Sequence, residues 1–167
     1  VGGRHQGEGR EAVIRSAGEG TTVRMEGQGA ALLGVTVDGS GGRFDLLDAA
    51  VHVAGREARV EGVAIRNATF GILVENAARA EDVKAQVRDN EVIGDAAKSL
   101  GLRGDSIRLW EAYDCVVEGN RVRDGRDVVL WYASRNRVFD NTIEGGRYGA
   151  HLMYSHGSDV EDNHFDS

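Results

Sequence analysis

Asp105-Ser-Ile-Arg-Leu-Trp110, Asp127-Val-Val-Leu-Trp-Tyr132 and Gly149-Ala-His-Leu-Met-Tyr154 can be laid over one another, and Leu109, Leu130 and Leu152 then recur at intervals of 21 and 22 residues. A valine follows each leucine eight residues on (Val117, Val138, Val160). An asparagine follows each valine three residues later (Asn120, Asn141, Asn163), and an apolar residue stands two beyond that (Val122, Ile143, Phe165). The stretch from Gly104 to Ser167 is therefore a repeat. A period of about 22 residues with short β-type runs and no helical spacing selects among the repeat architectures. Leucine-rich repeats share the length but need a different leucine spacing and usually a helical side. Strand, turn, strand, turn, with Asn and Gly at the corners, is how an all-β, right-handed single-stranded parallel β-helix winds. An Asn in left-handed backbone geometry is expected to make the corner. Stacked Asn amides are expected to hydrogen-bond along the ladder, and stacked coils share a core that none buries alone.

The chain has 167 residues, read as one β-helix domain over residues 1–167, with room for about seven coils of about 22 residues. It contains 24 Gly and no Pro, so its corners are made with Gly, Asn and Asp, which tolerate positive φ. A formal net charge of −7 argues against a nucleic-acid backbone as partner. The one cysteine, Cys115, excludes an internal disulfide and a Cys-only metal site, and beside Val116 it reads as a small inert hydrophobe. No apolar run approaches the ~18 residues of a membrane span, which predicts no direct membrane insertion, and no signal-peptide pattern opens the chain. The sequence stops just past Asn163-His-Phe165, in mid-coil, and the expectation is a portion of a longer β-helix.

Residues 1–20, with Ala12-Val-Ile14, form a poorly specified N-terminal lead-in. Period-2 runs begin at Val23 and Met25 and continue through Leu33, Val35 and Val37, Val51 and Val53, Val60, Val63 and Ile65, and Phe70 to Val74. Two places break the spacing, and one segment before them stands apart. Arg43 to Asp48 reads as an excursion between coils. Asn76 to Asp82 lengthens one coil. Gly94 to Gly104, with a short helical turn, lengthens the next, so that Asn90 precedes Asn120 by 30 residues.

Side chains alternate across a strand. If the leucines point inward, so do Ile107, Val128 and Ala150, and three outward files form: Ser106, Asp127, Gly149; Arg108, Val129, His151; and Trp110, Trp131, Met153. Two tryptophans and a methionine outside an acidic protein mean either that another part of the protein covers them or that they recognise something. Arg108, Trp110, Asp127 and Trp131 are the candidate partner or ligand surface. His151 and Met153, with His156 in the following turn, offer an imidazole and a thioether, donors suited to copper and above all to Cu(I). Asp105, Arg108, Arg126, Asp127 and Arg147 read first as ion pairs at corners. His5, His52 and His164 have no partners in the pattern and read as surface residues.

At Gly104-Asp-Ser-Ile-Arg-Leu-Trp110, Gly125-Arg-Asp-Val-Val-Leu-Trp-Tyr132 and Gly146-Arg-Tyr-Gly-Ala-His-Leu-Met-Tyr-Ser155 the sequence resembles the NosD family, the periplasmic β-helix component of an ABC transporter system that matures nitrous-oxide reductase. The rest resembles the wider class of carbohydrate-binding and sugar-hydrolase β-helix repeats. The NosD resemblance implies a periplasmic, non-enzymatic accessory protein assisting copper or sulfur delivery to the reductase's copper cluster. It implies ABC transporter subunits, a copper chaperone and nitrous-oxide reductase as partners. Two other readings stay open. One is a polysaccharide-binding or polysaccharide-active β-helix, a lyase, epimerase or hydrolase, with Asp105 and Asp127 at a carboxylate separation of roughly 5–9.5 Å. The other is a purely structural repeat segment.

Overall fold

The computed structural model describes residues 12–166. Val13–Arg15 forms β1, and six windings of three strands follow. They are β2 (Val23–Met25), β3 (Ala31–Leu33) and β4 (Thr36–Asp38); β5 (Ala49–Val53), β6 (Arg59–Glu61) and β7 (Ala64–Ala68); β8 (Phe70–Glu75), β9 (Gln86–Arg88) and β10 (Glu91–Gly94). Then come β11 (Ile107–Trp110), β12 (Val116–Glu118) and β13 (Arg121–Arg123); β14 (Asp127–Trp131), β15 (Arg137–Phe139) and β16 (Thr142–Glu144); β17 (Gly149–Met153), β18 (Asp159–Glu161) and β19 (His164–Asp166). Each strand pairs in parallel with the strand three places along, giving a seven-stranded sheet that includes β1 and two six-stranded sheets. Parallel crossovers are right-handed, and the molecule is the right-handed parallel β-helix that the repeat predicts. Residues 1–11, His5 among them, lie outside the described residues. The rest of the lead-in contains β1, whose Val13 pairs with Thr36 of β4.

Ile107 pairs with Val128 and Val128 with Ala150, the 21- and 22-residue steps of the sequence repeat. Two earlier windings are longer, since Val23 pairs with Val51 and Ile72 with Ile107, whereas Val51 pairs with Ile72 at the short step. The extra residues leave the sheets between β4 and β5, β8 and β9, and β10 and β11, the last with one 3-10 turn at Leu100–Leu102. The first and third loops meet at one corner. Lys98 Nζ donates to Thr69 Oγ1 at 2.7 Å, and that hydroxyl donates to the Gly42 carbonyl at 2.7 Å.

Inside, β-branched and leucine side chains stack in files such as Val51, Ile72, Ile107 and Val128, or Val60, Val87, Val117 and Val138, all essentially without exposure. Such side chains suit a pleated surface buried on its inner face. In the last described winding Leu152, Val160 and Phe165 occupy the same inward positions but have a neighbouring winding on one side only, and they are exposed.

One corner is an asparagine ladder. The Nδ2 groups of Asn90, Asn120 and Asn141 donate to Oδ1 of Asn120, Asn141 and Asn163, each at 2.9 Å. The same amides reach back to the carbonyls of Val60, Val87 and Val117. The ladder is as expected, but its backbone is not. The left-handed residue is the one before each Asn: Asp89, Gly119, Asp140 and Asp162, with φ of 52°, 64°, 54° and 52°. Asp and Gly carry that conformation at low cost, which leaves the asparagine side chain free to point inward and stack.

Candidate functional site

The second sheet, β2, β5, β8, β11, β14 and β17, carries the outward files. Arg108, Val129 and His151 stand in register, as do Trp110, Trp131 and Met153. The two indoles pack at 4.7 Å between centroids and 52° between planes. The Arg108 guanidinium lies 4.5 Å from the Trp110 ring centre and 4.7 Å from that of Trp131. Asp105 takes an ion pair from Arg108 at 3.5 Å and a shorter one from Arg126 at 2.7 Å. Burial pushes the Arg108 pKa down from its ordinary value, with the Asp105 charge opposing that shift. The charged set therefore forms corner ion pairs, as its recurrence in the sequence predicts.

Two members of the candidate surface are not on the surface. Arg108 is 6% exposed and Asp127 0%. The Asp127 carboxylate accepts the backbone N–H groups of Arg147, Tyr148 and Gly149 at 3.1, 2.6 and 3.2 Å, and Arg147 pairs with it at 3.4 Å. Outward on a strand thus means outside the core, not in water, because the next winding's turn folds over the carboxylate. Asp105 is equally covered, at 2% exposure. Neither carboxylate is free to exchange a proton with a substrate, which removes the pair required by the glycoside-cleaving reading.

Trp110, Trp131, His151 and Met153 are half-buried on the outer face. His151 and Met153 are two residues apart on β17, so their side chains leave the same face about 7 Å apart at the backbone. The Tyr148 ring stands edge-on to His151, 5.2 Å between centroids at 74°. His156 is exposed in the turn beyond β17; its N–H donates to Ser134 Oγ at 3.1 Å and its carbonyl accepts the Arg135 N–H at 3.0 Å. Among the described residues no group of three or more His, Cys, Asp and Glu gathers as a metal cluster. The donors brought to one face are therefore His151 and Met153.

His52 is not the unpartnered surface residue expected. Its Nε2 lies 2.9 Å from Glu75 Oε2 and its Nδ1 3.2 Å from Arg24, two interactions along the second sheet that the sequence spacing before Gly104 was too irregular to expose. His164 is exposed on β19. Tyr132 and Tyr154, missed in the sequence, stack at 4.9 Å and 7°. They stand one residue after Trp131 and Met153, and that shared offset was the available signal. Both sit at φ 51°. Cys115 is buried, and burial pushes its thiol pKa up to about 12, so it is inert.

A family model described as "Periplasmic copper-binding protein (NosD)" matches residues 83–167, the segment holding this face. The chain belongs to the NosD family. Two relatives bear the name "Probable ABC transporter binding protein NosD". The protein of Pseudomonas aeruginosa is 34% identical over 118 residues and that of Stutzerimonas stutzeri 31%. Each alignment covers 70% of this chain and 26% of the relative, so the chain spans about a quarter of the length of these relatives. No helix among the described residues is long and apolar enough to cross a membrane. A thioether and an imidazole stand on one half-buried face, the kind of donor that suits a soft monovalent ion, and among the described residues no carboxylate cage of the kind a hard cation needs is found.

Proposed function

We propose that this chain is a β-helix segment of a periplasmic, non-enzymatic accessory protein that carries copper as cargo for the copper cluster of nitrous-oxide reductase, working with ABC transporter subunits and a copper chaperone. His151 and Met153 hold the ion, and His156 lies near enough in sequence to add a donor if the turn rearranges. Trp110 and Trp131 form the adjoining partner surface. The observation that carries the reading is the placement of His151 and Met153 on one outer face of β17, within the residues that match the copper-binding family. When bound, copper supplies only its own charge and softness. The chain's part is to hold it at two soft donors that a partner protein can replace.

The test is Cu(I) titration under anaerobic conditions against a chromophoric chelator. Wild type is expected to withdraw one equivalent, and His151→Ala with Met153→Ala to withdraw none. Equal behaviour of the two proteins would overturn the site. Binding intact in the double variant but lost in His156→Ala would move the site to the turn.

A further inference from the structure

Trp131 is packed from the β11 side and is half-buried. Toward β11 its ring meets Trp110 at 4.7 Å and the Arg108 guanidinium at 4.7 Å, and that guanidinium is fixed by Asp105. Tyr132 lies nearly parallel to it at 6.3 Å and 17°. The indole Nε1–H is buried without a partner, so the ring's polar edge is turned into the protein. Toward β17, Trp131 is paired in register with Met153, and Val129 with His151. One strand spacing of about 4.8 Å therefore separates the indole's backbone from that of the thioether, and both side chains leave the same half-buried face.

A thioether and an imidazole satisfy two positions of a soft monovalent ion and leave a side open. An aromatic face attracts a cation through its quadrupole, most strongly where water is excluded. Trp131 is the ring placed to do this, and its neighbours hold it in position. Val129 stands in register with His151 beside the indole, and the Tyr148 ring packs edge-on to the imidazole.

We infer that the Trp131 indole is the third wall of the His151–Met153 site, covering a soft monovalent cation held there and slowing its loss to water. The inference rests on the proposed donor pair. It gives the aromatic file a role in retaining the ion besides any role in docking a partner.

The experiment uses Ag(I), a redox-silent stand-in for Cu(I), on the protein grown with 5-fluorotryptophan. The two tryptophan signals are followed by fluorine NMR and assigned with Trp110→Phe. The expected result is one equivalent bound, with the Trp131 signal shifting at saturation and the Trp110 signal moving less. Trp131→Phe is expected to bind Ag(I) about tenfold more weakly. The fluorine measurement needs no substitution at Trp131, so it stands even if that variant folds poorly. Absence of Ag(I) and Cu(I) binding in wild type would overturn the donor pair itself. Binding at His151 and Met153 with an unmoved Trp131 signal would overturn only the role given to the indole.

Discussion

Replacing Asn120 with alanine removes four hydrogen bonds from a corner that water does not reach. The side chain is 1% exposed. Its Nδ2 donates to the Val87 carbonyl and to Asn141 Oδ1, both at 2.9 Å. Its Oδ1 accepts the Asn90 N–H at 3.1 Å and Asn90 Nδ2 at 2.9 Å. A net contribution near 1 kcal/mol per bond, raised where a buried donor or acceptor is left without a partner, gives a loss of about 3–5 kcal/mol. Asn163 also makes four such bonds, but it is half-exposed in the last described winding, where water replaces what is lost. Asn163→Ala is expected to cost about 1 kcal/mol. Urea denaturation followed by far-ultraviolet circular dichroism measures both. Hydrogen exchange at the Asn90 amide localises the first, because that N–H loses its acceptor. A loss below 1 kcal/mol for Asn120→Ala, or an equal loss at the two sites, would refute the argument that enclosure sets the value of the ladder.

Four further outcomes are expected. Because the folded thiol of Cys115 has its pKa raised from 9.0 to about 12, its contribution to stability is complete below pH 9 and is lost as pH rises toward about 12; the wild-type minus Cys115→Ala difference in urea midpoint across that range checks it. Asp105→Asn leaves the buried Arg108 charge uncompensated and is expected to cost about 3–5 kcal/mol. Asp114→Asn, which breaks the 2.8 Å pair with the half-exposed Arg135, is expected to cost under about 1 kcal/mol. Asp114 is held below its ordinary pKa first by the Arg135 hydrogen bond, so that small share is present above pH 3.8 and is lost as pH falls below it. In Gly125→Ala the new Cβ would stand 1.8 Å from Ser106 Oγ. A loss of about 1–3 kcal/mol follows, and a thermal melt of the double variant with Ser106→Gly should recover part of it.

The repeat after Gly104 was legible because Leu109, Leu130 and Leu152 keep a constant offset, and the parallel registers of β11, β14 and β17 reproduce that offset. The loops at 76–82 and 94–104 were legible for the converse reason, as breaks in it, and 43–48 was read as an excursion between coils. The asparagine corner was read correctly as a ladder and wrongly as the left-handed position. The pattern names the residue whose side chain stacks, but Asp89, Gly119, Asp140 and Asp162 vary between two residue types and so left no conspicuous column. At the candidate site, the grouping of His151, Met153 and Trp131 on one face followed from alternation alone. The burial of Asp127 did not, nor did the interactions of His52 with Arg24 and Glu75.

The sequence by itself determined the winding and the file to which each side chain of the repeats belongs, the shared face of His151 and Met153 included, since neighbours in a solenoid recur at one offset and strands alternate their faces. Only the tertiary structure decided which outward residues meet solvent. Asp105 and Asp127 are enclosed by guanidinium groups and by a turn from the next winding, while Tyr132 and Tyr154 stand out beyond them. Exposure on the outer face depends on what adjacent turns lay over each residue, and turn geometry is not carried by a periodic offset.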